Sequence, residues 1–150
     1  PEELLERNFI EAVNLHFYGN LDEAVTLSDL KNLDGDLDLS DSGITSLKGA
    51  ENCTLLSSLN LSGNDIRSLS ALSHCSLLEI LHLSGNGIET ITPLAELSSL
   101  RELDLSFNHI DDVSALLLLD RLEYVNLMGN PIRSASAVSK LKEKGVIVID

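Results

Sequence analysis

Aromatic residues are scarce in this sequence. It has two tyrosines, three phenylalanines and no tryptophan, 3 % of the chain. A core cannot be organised around large rings, so it must be aliphatic. Cysteine occurs twice, too few for a disulfide-stapled scaffold. Basic residues are also few: ten Lys and Arg stand against 24 Asp and Glu, a formal net charge of −14 at pH 7. A chain of that sign repels phosphate backbones and anionic lipid, which argues against a nucleic-acid or membrane-surface role. No apolar run approaches the roughly 20 residues of a membrane span, so membrane insertion is not expected. No charged-then-apolar leader opens the chain, which begins on Pro1 and not on Met, so that end does not reveal the compartment. What is present is 150 residues, 43 % apolar and 23 % charged, the composition of one globular domain.

The apolar residues are not scattered. Leu37, Leu59, Leu81, Leu103, Val125 and Ile147 recur every 22 residues, and Leu39, Leu61, Leu83, Leu105, Leu127 and Ile149 follow two residues behind. Ser42, Asn64, Asn86, Asn108 and Asn130 come next, then Ile44, Ile66, Ile88, Ile110 and Ile132. A period held without insertion means stacked structural units. In each unit a short alternating stretch such as LNLSGN (Leu59 to Asn64) marks a strand with one buried face. The apolar spacing then changes to three, as in Ile66, Leu69, Leu72, Cys75, Leu78 and Leu81. That spacing suits 3₁₀ turns, whose side chains eclipse at i and i+3. One unit cannot bury its own apolar faces; stacking units does. The bulkier return limbs predict a curved array with its strands on the concave side.

The asparagine column predicts a specific role. The turn after each strand leaves inward backbone groups that need partners. An amide offers two donors and an acceptor, enough to serve the turns of its own and the next unit. Ser42 replaces it in the first unit. Residues 1–35 leave the period and read as a helical N-terminal cap. Pro1, Glu2 and Glu3 suit a helix start; Leu5, Phe9, Ala12, Val13 and His16 share one face; Gly19–Asn20 suit its end. A second turn fits Leu27, Leu30 and Leu33 with Thr26 or Ser28 as its cap. Repeats occupy 36–144, with Lys140 to Lys144 helical and exposed, and 145–150 form a terminal strand.

LNLSGNDI (Leu59 to Ile66), LHLSGNGI (Leu81 to Ile88) and LDLSFNHI (Leu103 to Ile110) resemble leucine-rich repeats of the 22-residue class. Bacterial internalins and a regulatory subunit of a eukaryotic protein phosphatase use that class. The stretch Val25 to Cys53 is similar to the cap-to-repeat transition of internalin-like proteins, and Leu141 to Ile149 is similar to the way such arrays end. Departures are Ser42 for Asn, Ala50 for Leu and Lys144 for Leu, all in terminal units. The resemblance implies an α/β solenoid, a right-handed superhelix with short parallel strands on the concave face and 3₁₀ or extended convex limbs. It also implies non-enzymatic recognition of another protein or a glycan by the concave face.

Alternation turns the residues between the buried leucines outward. Most are small or polar, but Ile80, Tyr124, Met128 and Phe107 are not, and His82, His109, Glu102, Asp104 and Asn126 accompany them in the C-terminal half. Exposed aromatic and Met side chains on one face mark interaction sites, and the carboxylates favour a partner with basic groups. Other motifs fail. Asp34, Asp36 and Asp38 lack the Gly and Glu that a calcium loop requires. Cys53 and Cys75 take a buried leucine position one unit apart and read as free thiols. A Ser–His–Asp set from Ser62 or Ser84, His82 and Asp104 has no nucleophile elbow or oxyanion hole. Neither metal nor cofactor is expected, and the chain reads as a monomer. A bacterial surface or secreted adhesion module is favoured by the resemblance, with a cytoplasmic scaffold or phosphatase-regulator-like subunit as the alternative.

Overall fold

The structure, a computed structural model, describes residues 7–150. The expected helix start at Pro1 to Glu3, and Leu5, lie outside the described residues. A short strand β1 (Arg7–Asn8) leads into helix α1 (Phe9–Tyr18). Asn8 caps that helix: its side chain accepts from the Glu11 amide at 2.9 Å, while the Glu11 carboxylate accepts from the Asn8 amide at 3.4 Å. Gly19 ends it in the left-handed conformation. Phe9, Ala12 and Val13 are buried. His16, expected on the same face, is exposed and packs edge-on against Phe17. Buried Asn14 binds the following loop through the Val25 amide. Helix α2 (Leu27–Asn32) is capped by Thr26, with Leu30 as its buried residue.

The repeats build one six-stranded parallel sheet from β2 (Asp34–Asp38), β4 (Leu55–Asn60), β5 (Ile80–His82), β6 (Glu102–Asp104), β7 (Tyr124–Asn126) and β8 (Ile147–Ile149). Strand β3 (Ile44–Ser46) pairs instead with β1, which fastens the N-terminal segment to the first repeat. Leu37, Leu59, Leu81, Leu103 and Val125 stand opposite one another along the sheet. The return limbs are 3₁₀ turns at Ala50–Asn52, Ser70–His74, Thr92–Glu96 and Ser114–Leu118. The leucines between strands and limbs form a continuous buried core.

The period breaks once. Val125 pairs with Val148, and not with Ile147, so the last strand is displaced by one residue. The cause is the final limb, a true α-helix, α3 (Ala135–Glu143), longer than the expected Lys140 to Lys144 and burying Ala137, Val138 and Leu141. It closes with the amide of Gly145 (φ +90) on the Lys142 carbonyl and that of Val146 on the Leu141 carbonyl. This is the Schellman arrangement, which needs a left-handed residue and one more residue than the 3₁₀ turns use. Ile147 and Ile149, expected to point inward, therefore flank an inward Val148.

The asparagines close the turns, in the direction opposite to the one expected. Asn108 donates to the Leu105 carbonyl of its own unit and the Leu83 carbonyl of the preceding unit, both at 3.0 Å, and its Oδ1 accepts from the Ile88 amide. Asn64, Asn86 and Asn130 repeat the pattern backwards onto Leu39, Leu61 and Leu105. Ser42 follows from this: no unit precedes it, and its own turn is served by Asn64, which accepts from the Ser42 and Ile44 amides. Replacing Asn108 with Ala orphans the buried Ile88 amide and strips one of two amide donors from each of the Leu83 and Leu105 carbonyls, which keep Asn86 and Asn130. We expect a loss of about 2–4 kcal/mol in urea unfolding, against no more than about 1 kcal/mol for Ser42→Ala.

Cys53 and Cys75 are buried and unbonded to each other, the Cys75 thiol donating to the Ala50 carbonyl. Burial pushes Cys53 up to about 12 and Cys75 up to about 11, from an ordinary value of 9.0. The folded state thus holds these protons more tightly than the unfolded chain. Their stabilising effect is complete below about pH 8.5 and is lost as pH rises toward 11–12. At pH 8 a thiol reagent is expected to label neither cysteine in the native protein and both in denaturant, and stability is expected to fall steeply above pH 9.

Candidate functional site

The face of the sheet that turns away from the core is built from the residues between the buried leucines. Four of its five second-strand positions carry Asp or Asn, and each has a local task. Asp38, Asn60, Asp104 and Asn126 accept from the amide two residues on, at 2.9–3.0 Å, fastening the exit of the strand. The Ser40 bonds hold the Asp38 carboxyl below its ordinary value, with smaller contributions from His16 and His82. Asp104 and Asn126, expected as contact residues, thus have an oxygen committed to the fold. The recurrence of Asp or Asn at this place in four of the five units was the available signal for this. His82 alone departs from the rule; its Nε2 lies 3.1 Å from the Glu102 carboxylate.

The two groups meant to complete a Ser–His–Asp set are engaged elsewhere. Ser106 Oγ donates to Asp104 at 2.6 Å, and the Ser84 and Ser106 hydroxyls are 2.8 Å apart. Arg101 is held between Glu123 at 3.1 Å and Glu79 at 3.7 Å. Among the described residues no three His, Cys, Asp or Glu side chains converge as a metal site, and no helix is long and apolar enough to cross a membrane.

The apolar outward residues fall into two groups. At the strand exits the backbone turns left-handed in every unit: Gly63 (φ +70), Gly85 (φ +69) and Gly129 (φ +74), but Asp41 (φ +51) and Phe107 (φ +56). A bulky residue is strained in this region. The Phe107 side chain is nevertheless 59 % exposed. Its ring lies over Gly129, where a Cβ would come within 2.5 Å of Cδ1, and its amide donates to the Met128 carbonyl. Met128 beside it is exposed. At the strand entries, half-buried Tyr124 stands opposite Ile147, which the one-residue displacement leaves 61 % exposed. Sequence reasoning missed Ile147 and Ile149, because the strict period assigned both to the core.

Ile80 is exposed but stands two strands from Tyr124, with Glu102 between them. His109 is not brought to this group; it lines a polar hollow with Asp65, Arg67, Asn86, Glu89 and Thr90. A second apolar hollow, also unforeseen, lies in the N-terminal segment between Phe17, Tyr18, Val25 and Leu33.

Backbone strain tests the role of Phe107. Phe107→Gly is expected to leave stability unchanged or raise it by up to about 1 kcal/mol, because strain is relieved while little burial is lost. Gly129→Ala should cost about 1–2 kcal/mol, and less in the Phe107→Gly background, where the ring no longer blocks the new methyl. Urea melts of the four proteins measure both.

Comparison with known proteins follows the same lines. The family model for leucine-rich repeats, described as Leucine Rich repeats (2 copies), matches residues 54–96, 76–118 and 98–142. No curated protein matches the sequence. Among solved structures, an internalin (inlF) from Listeria monocytogenes is similar over 93 % of this chain and 40 % of its own, with 28 % identity and a TM-score of 0.80. An internalin C2 (inlC2) from the same organism is similar over 83 % and 54 %, with 29 % identity and a TM-score of 0.73. The functional domain of InlJ, at 20 % identity and a TM-score of 0.64 over 85 % and 37 %, shares the fold. The chain thus spans between about two fifths and just over half the length of these structures. With its matched repeats, its parallel sheet and its asparagine column, the chain belongs to the leucine-rich repeat family, in its internalin-like class.

Proposed function

We propose that this chain is a non-enzymatic recognition module that binds another protein through the outward, concave face of its sheet. Phe107, Met128, Tyr124 and Ile147 are the anchors. The observation that carries this reading is Phe107. Where three other units place glycine and the first places Asp41, this unit holds an exposed phenyl ring in a conformation that disfavours it. Strain retained without burial is retained for something outside the fold.

Three further points support the reading. The internalin-like fold presents its sheet as the broad ordered surface. The carboxylates Glu102, Asp104 and Glu123 beside the anchors favour a partner with basic groups. His82 bonds to Glu102, and among the described residues no serine hydroxyl is hydrogen-bonded to its ring, which accords with binding and not turnover. We place the module, as a monomer, on the surface of a bacterium or among its secreted proteins, on the likeness to internalins; a glycan partner is the narrower variant. The intracellular-scaffold reading has no observation of its own, because buried free thiols persist in either compartment.

The test is differential affinity capture read by mass spectrometry. Proteins retained by the wild type and by Leu118→Ala, a control on the 3₁₀ side, are expected to be lost, by tenfold or more, from Phe107→Gly combined with Tyr124→Ala. Equal retention by that double variant overturns the assignment of the face.

A further inference from the structure

The outward face changes character from one end of the array to the other. On and just beyond β2 it presents Asp36, Asp38 and Asp41, all exposed, with no cation paired to any of them among the described residues. On β6 to β8 it presents Phe107, Met128, Tyr124 and Ile147, and half-buried Ile149. The guanidinium on this face, Arg101, is already shared by Glu79 and Glu123 and does not neutralise β2, three strands away. The displacement of β8 sharpens the contrast. It exchanges one inward valine for two outward isoleucines at the end where Phe107 and Met128 already stand.

We propose that this face is a two-ended docking surface for a protein segment that carries Lys or Arg at one end and aromatic or aliphatic side chains at the other. The basic end lies over β2 and the apolar end over β6 to β8. The proposal rests on the reading of the sheet face as the contact surface, and adds partner chemistry and direction to it. Strands pack roughly 4.8 Å apart, so the two ends are about 15–25 Å apart, a distance an extended segment crosses in about five to seven residues. A second copy of this chain is a poor occupant, since two faces of the same negative sign repel. A segment of uniform character satisfies only one end. Desolvated apolar contacts at β6 to β8 supply affinity, and the carboxylates at β2 choose the orientation.

The probe is a displayed library of random peptides about 12 residues long, enough to cross the sheet extended. It is selected on the wild-type chain and counted against the Phe107→Gly, Tyr124→Ala variant. Enriched peptides are expected to carry Lys or Arg separated by about five to seven residues from an aromatic or aliphatic pair, in one order only. Their affinity should fall about tenfold with rising salt and by a similar factor in the triple variant Asp36→Asn, Asp38→Asn, Asp41→Asn. That variant is chosen to fold: Asn60 and Asn126 already perform the turn role of Asp38, and Asn tolerates the left-handed backbone of Asp41. If selected peptides lack basic residues, run in both orders, or bind the triple variant equally, the two-ended proposal is overturned while the contact face stands. If they bind the Phe107→Gly, Tyr124→Ala variant equally, the contact face falls and the proposal with it. Absence of any enrichment overturns docking of a linear segment.

Discussion

Stacking flat coils of chain creates a backbone problem before it creates a core. Each coil must turn sharply at the end of its strand, and the inward amides and carbonyls of that turn have no ladder partner. Here one side-chain amide per unit solves it, by donating to its own turn and to the one before and accepting from the isoleucine amide there. The aliphatic core follows from this closure. With the turns satisfied, Leu59, Leu81 and Leu103 fall into line and the limbs can be as tight as 3₁₀ geometry permits. Without it, the same leucines would surround orphaned polar groups at a cost that their burial does not offset.

Most of the fold was legible because the forces behind it are periodic. Alternation, spacing by three and the asparagine column are each visible in 22-residue steps, and each maps onto a strand, a 3₁₀ limb and a bonded turn. What was not legible is local and aperiodic. A helix with a Schellman close consumes one residue more than a 3₁₀ turn, and nothing in the run Ile132 to Ile149 announces that exchange except Gly145. The direction in which an amide reaches depends on the tilt of the turn, which a list of residues does not contain.

The proposed contact face was partly legible for the same reasons. Ile80, Phe107, Tyr124 and Met128 declared themselves as apolar residues at polar positions, and three of them are gathered near the end of the array. The strain at Phe107 was hidden, since φ is invisible in sequence; only the run of glycines at the equivalent places pointed to it. The duties of Asp104 and Asn126 in their own turns were hidden too. A carboxylate or amide with one oxygen committed to a backbone amide is a stiffer, better-placed contact group than a free one, at less entropic cost on association.

Because each asparagine bonds no farther than its nearest neighbour in the stack, the interior coils are interchangeable. A gene that copies or deletes one of them leaves every closure intact and carries both ends along unchanged. Such an event would move the two termini of the surface relative to each other by one strand spacing, about 4.8 Å. Array length in this architecture is therefore a ruler with fixed graduations, and inheritance can adjust it without rewriting either the first coil or the last.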